Sequence, residues 1–174
     1  ELGFHVFDGV FKLAIFVGYI GLISLVPEIR RLFQYHGAEH KVVNAFEQGL
    51  DINLDIVRVQ PTFHARCGTS FMLLVLLLSI FFFGAVVPFV PQFTEIAVLQ
   101  HLAVIALKVP LMLPLAGLTY ELNRWTSKND GVLSRLLATP GRWMQKLTVK
   151  EPTDDMLEVS LTAMKAALRR EMRS

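Results

Sequence analysis

From Ser70 to Val90 the chain carries no charged side chain. At about 1.5 Å per helical residue, a stretch of that length covers the ~30 Å hydrocarbon core of a bilayer. Two further segments follow the same logic. Residues 2–26 are apolar and aromatic apart from Asp8 and Lys12, which stand four apart and can pair on one helix face. Residues 97–118 form a weaker span interrupted by Lys108, Pro110 and Pro114, and the two prolines, lacking N–H groups, predict a kink. A mean hydropathy of +0.47 with only 18% charged residues fits a polytopic membrane protein. The fold class expected is therefore mainly α, with three transmembrane helices, cytoplasmic interfacial helices and a short β element.

Basic residues orient these spans. Of the 17 Lys and Arg, five lie in 27–68 and ten after residue 118, while the 91–96 loop has none. The positive-inside rule puts 27–68 and 119–174 in the cytoplasm. The domain organisation expected is a membrane domain over 1–124, with spans 2–26, 70–90 and 97–118 and a cytoplasmic insert 27–69, followed by a cytoplasmic region 125–174. A net charge of +2 gives no argument for nucleic acid. One cysteine, Cys67, rules out an intramolecular disulfide. The chain opens on Glu1 rather than methionine, as a fragment or a processed product would.

Within the insert, Pro27 ends or bends the first span, and a helical pattern runs on to Gly49, a plausible C-cap. Residues 50–60 alternate, with Ile52, Leu54, Ile56 and Val59 between polar neighbours, which predicts a short strand. In the C-terminal region, Lys128-Asn129-Asp130-Gly131 and Pro140-Gly141 read as turns. Thr153 can cap a last helix that starts with Asp154 and Asp155 and ends with Arg169, Arg170 and Arg173, a polarity that suits the helix dipole.

The insert also carries the chemistry. In Tyr35-His36-Gly37-Ala38-Glu39-His40-Lys41, His36 and His40 stand one helical turn apart with Glu39 beside them, an H-x-x-E-H pattern. Two imidazoles so spaced can share a divalent metal, and a flanking carboxylate can take a proton from water bound to it. A second cluster, His64-Ala65-Arg66-Cys67, precedes the second span, and Glu121 ends the third. Because a bilayer fixes the depth of each helix end, all three clusters are expected at one membrane face. His36, His40 and Glu121 would give an open His₂Glu site with Glu39 as base. His36, His40, His64 and Cys67 would instead close four positions and favour a structural role. Both sets remain open at this stage. Zinc suits the donors best, with manganese, iron and cobalt as alternatives.

Four segments in order resemble the YqhQ-like family of bacterial membrane proteins, a domain of unknown function described as predicted metal-dependent enzymes. They are Tyr-His-Gly-Ala-Glu-His-Lys at 35–41, His-Ala-Arg-Cys-Gly-Thr-Ser-Phe at 64–71, Leu-Thr-Tyr-Glu-Leu at 118–122, and Pro-Gly through Lys-Glu-Pro at 140–152. The resemblance implies a multi-pass protein of the bacterial inner membrane, and implies that members carry a further glycine-rich N-terminal region. It supplies no substrate. The H-x-x-E-H pattern separately resembles the inverted zinc peptidases, by analogy of motif alone.

The expectation is then a metal-dependent hydrolase of the metallopeptidase kind at the cytoplasmic face. His36 and His40 hold the metal with a third ligand from Glu121, His64 or Cys67. Glu39 serves as base, and Arg66, Tyr120 or Lys41 meets the oxyanion. The partners expected are membrane lipids, a protein or peptide substrate and a second copy of the chain, with no nucleic acid. A non-catalytic protein stapled by a closed metal site is the alternative. A transporter using Lys108 and the Pro110/Pro114 kink ranks third.

Overall fold

The computed structural model describes residues 2–129 and 131–172. Asp130 of the expected turn and Arg173 of the last helix therefore lie outside the described residues. The elements in order are α1 (Leu2–Ile23), α2 (Pro27–Glu47), α3 (Leu54–Arg58), α4 (Gly68–Val86) with a 3-10 turn (Val87–Phe89), α5 (Ala97–Lys128), α6 (Val132–Thr148) and α7 (Asp154–Glu171). The fold is all-helical, and no strand occurs among the described residues. The chain divides into two compact units. One holds the residues up to Val17 with Arg66–Gly141, and the other holds Gly18–Ala65 with the chain from Arg142 onward.

The first unit is built inside out. Phe7, Phe11, Phe81 and Leu113 turn their side chains outward, a costly surface in water and an ordinary one against lipid. Gly68–Phe89 and Ala97–Lys128 are each long and apolar enough to cross a membrane. A third candidate is a bent pair, Phe7–Ile23 with Pro27–Glu47, turned by 97° at the break. Pro27 begins α2 there, where its missing N–H costs nothing. Lys12 and Asp8 pair at 2.6 Å along α1. The third span continues well past residue 118 as α5, which carries Pro110 and Pro114 within it. Pro140 and Gly141, expected to turn, lie inside α6 instead. The absence of a side chain at Gly141 matters there: a Cβ would lie 2.8 Å from that of Ser70, whose hydroxyl donates to the Gly141 carbonyl at 3.1 Å.

In the second unit, α2, α3 and α7 enclose a small core of Ala38, Val42, Ala45, Val57, Met156, Leu157 and Leu161. The expected strand at 50–60 is replaced by α3. Asn53 stands extended before it and accepts the Ile56 N–H at 3.0 Å, which caps a helix the alternating pattern conceals. α2 ends as expected, with Gly49 at φ 68 and the Leu50 N–H returning to the Ala45 carbonyl at 3.0 Å. Thr153 does precede α7, but its hydroxyl donates to Asp155, while Asp154 forms a two-pronged pair with Arg58 at 3.0 and 2.8 Å.

Candidate metal centre

Three segments of the second unit converge on one face of α2, and each is tied to it by hydrogen bonds. The first is the strip after α6. The Lys150 N–H donates to the Phe33 carbonyl at 2.9 Å, and its own carbonyl lies so close to Gly37 that a Cβ there would collide with it. The glycine between the two histidines is therefore a close-approach position, not a weak point in the helix. The second is the loop after α3: Asn44 donates to the carbonyls of Pro61 and Phe63 at 2.8 and 2.9 Å. The third is the end of α6 from Arg142, whose Thr148 carbonyl meets the His36 ring and whose Gln145 amide clasps the backbone of His64, accepting its N–H at 3.1 Å and donating to its carbonyl at 2.9 Å.

These segments set the imidazoles. Nδ1 of His36 lies 2.9 Å from the Thr148 carbonyl, and Nδ1 of His40 lies 2.5 Å from the Thr62 carbonyl. A carbonyl only accepts, so each neutral ring carries its hydrogen on Nδ1 and its lone pair on Nε2. Backbone carbonyls orient metal-binding histidines in this way. The two rings meet edge to face with centroids 4.4 Å apart, and the ring of His64 lies 5.6 Å from that of His40. Nε2 of His64 faces the Glu47 carboxylate at 3.3 Å.

Cys67 offers a third ligand atom of a group that could hold a metal ion. It lies three residues after His64 in the chain and is buried at the start of α4. Its sulfur and one ring nitrogen each from His36 and His40 lie within 4.8 Å of one another. A tetrahedral zinc sets its ligand atoms roughly 3.3–3.8 Å apart. A thiolate with two imidazoles is a donor set for zinc, iron or cobalt rather than magnesium or calcium.

The remaining candidates are placed as follows. Glu39 is exposed and lines a cleft of about 300 Å³ between α2 and α7, with Tyr35, Val42 and Met164. Arg66 and Tyr120 line a cleft of about 250 Å³ in the first unit, with Phe71 and Arg124. Glu121 is exposed on α5, 3.7 Å from Arg124. Lys41 is buried, pairs with Glu151 at 2.5 Å and donates to the Arg58 carbonyl at 2.9 Å. Glu47 and Gln145 also meet His64, though neither stands in a motif. Glu47 was detectable: it follows His36 by eleven residues and His40 by seven, which keeps all three on one helical stripe.

Residues 1–170 match the family model described as "Protein of unknown function (DUF1385)". Over 165 residues the chain is 39% identical to the uncharacterized protein YqhQ of Bacillus subtilis (strain 168), covering 94% of this chain and 49% of that protein. The chain thus spans about half the length of the curated relative it matches. No solved structure matches it.

Proposed function

The chain belongs to the DUF1385 family, and from the geometry above we propose that it is a metal-dependent hydrolase, of the metallopeptidase kind, working at the cytoplasmic face of a bacterial membrane. The observation that carries this reading is the orientation of His36 and His40, whose Nδ1 atoms are held by main-chain carbonyls and whose Nε2 lone pairs are left for a metal, with Cys67 proposed as the third ligand. Three protein ligands leave a coordination position for water or substrate, as catalytic zinc sites do. A divalent ion held there supplies Lewis acidity toward a scissile carbonyl and acidifies a bound water.

The protein's own groups do the rest. His64, clasped through its backbone by Gln145 and facing Glu47, is the group proposed to carry a proton to the leaving nitrogen of a peptide. Glu39 competes for the role of base by its place in the motif, but it lines the α2–α7 cleft, whereas Glu47 shares the imidazole stripe. Arg66, next to Cys67 in the chain, is the cation proposed to meet the oxyanion. The concentration of Lys and Arg in 27–68 and after 118 supports a cytoplasmic site.

One observation favours a second reading. His64 is buried, with its ring 5.6 Å from His40, so it can close the shell as a fourth ligand and make the metal a structural staple. Glu47→Gln and Glu39→Gln, compared for metal content and for cleavage of a quenched-fluorescent peptide library, separate these roles. Metal retained with cleavage lost in Glu47→Gln supports the hydrolase reading with Glu47 beside the site. The same result in Glu39→Gln alone moves the base to Glu39. Full metal content with no cleavage by the wild-type protein favours the staple.

A further inference from the structure

The first unit contains a charged cleft that the metal reading does not use. It measures about 180 Å³ and is lined by Asp8 and Lys12 of α1, Ser79 and Phe83 of α4, and Lys108 of α5. α1 and α4 run close beside it: Gly9 packs on Ile80 so tightly that a Cβ would collide with the Ile80 side chain. Lys12 is neutralised by Asp8 at 2.6 Å. Lys108 is not. Its ammonium stands 5.5 Å from the centre of the Phe83 ring, and no carboxylate pairs with it among the described residues. The three charges therefore sum to +1.

This surplus cation lies within a helix long and apolar enough to cross a membrane. Lys108 lies eleven residues into a span that begins at Ala97, roughly 16 Å along the helix axis, and the α4 wall beside it is charge-free. A lone ammonium at such depth is expensive and persists where an anion or water meets it. The cation–π contact with Phe83 offsets part of that cost without neutralising the charge. The cleft is the size of one oxyanion group and not of a whole lipid, and it opens beside α4 and α5, each long and apolar enough to cross a membrane, with exposed Phe7 and Phe11 on α1.

We propose that the Lys108 cleft binds the monoanionic phosphodiester of an anionic phospholipid, with the acyl chains lying along the apolar outer faces of α1, α4 and α5. A net charge of +1 matches a single anion. Asp8 keeps the site from accumulating a second positive charge, which biases it toward monoanions over doubly charged phosphates. This site is independent of the metal centre.

The test uses the full chain in nanodiscs that mix phosphatidylglycerol with phosphatidylcholine, followed by native mass spectrometry of the retained lipid. Wild type is expected to retain phosphatidylglycerol about fivefold over phosphatidylcholine, and Lys108→Met to abolish the preference. Lys108→Arg should keep the preference and Asp8→Asn should strengthen it, which settles the matter even if Lys108→Met fails to fold. Equal retention of the two lipids by wild type overturns the proposal, as does an unchanged preference in Lys108→Met. Inorganic phosphate in detergent is the parallel probe. Lys108-dependent phosphate binding without a lipid preference also overturns the proposal, because the anion then comes from water.

Discussion

The carbonyl oxygen of Thr148 lies 2.9 Å from Nδ1 of His36, a residue 112 positions earlier in the chain. Because the acceptor is main chain, the contact holds the imidazole whatever side chain residue 148 carries. Thr148→Val is therefore expected to keep its metal, while His36→Asn and His40→Asn lose it. Metal content by plasma mass spectrometry of the purified variants checks this. Equal metal in wild type and His40→Asn would contradict the site.

Gly37 is the point at which the Lys150 carbonyl reaches α2. An added methyl group would push back main chain, not a flexible side-chain tip, so Gly37→Ala is expected to cost about 1–3 kcal/mol of stability. It should also weaken metal binding, because the strip runs directly on from Thr148, whose carbonyl holds His36, and lost support of that kind costs roughly 10–100-fold in affinity. Thermal melts and competition with a coloured chelator measure the two effects. An unchanged affinity in a destabilised variant would separate the strip from the site.

Arg58 and Asp154 join α3 to α7 through two hydrogen bonds. The hydrogen bond from Arg58 holds the Asp154 carboxyl below the usual aspartate value, and the same bond raises the guanidinium. A carboxyl with a lowered folded pKa stabilises fully above its ordinary value of about 3.9, and that contribution is lost as pH falls through the lower folded value. Both groups face solvent, so the effect is small. The stability gap between wild type and Asp154→Asn should be constant above about pH 5 and shrink below about pH 4. A gap that persists unchanged at lower pH would rule the pair out as its source.

The helices long and apolar enough to cross a membrane were legible because that property depends on composition over twenty or so residues, as in Ser70–Val90. The start of α2 at Pro27 and its close at Gly49 were legible because those residues act through backbone chemistry of their own. α3 was not. The alternation of Ile52, Leu54 and Ile56 imitates a strand, and what decides for a helix is the Asn53 side chain together with the burial of Val57 against α7. Pro140-Gly141 misleads in the same way, since the small residue serves a close approach to Ser70 within a helix. At the site, the spacing of His36 and His40 is a local property and could be read directly. The carbonyls of Thr62 and Thr148 could not, because main chain has no sequence signature and its path is fixed by tertiary packing. Glu47 lay within reach of the same periodicity argument extended two turns further.

The proposed metal centre requires His36, His40 and Cys67 to share one ion. X-ray absorption at the metal edge of the purified full chain, in wild type and Cys67→Ser, tests it most directly. The predicted result is one sulfur and at least two imidazole nitrogens in the wild-type shell, with the sulfur lost in the variant. No bound metal, or a shell of oxygen ligands alone, would contradict it.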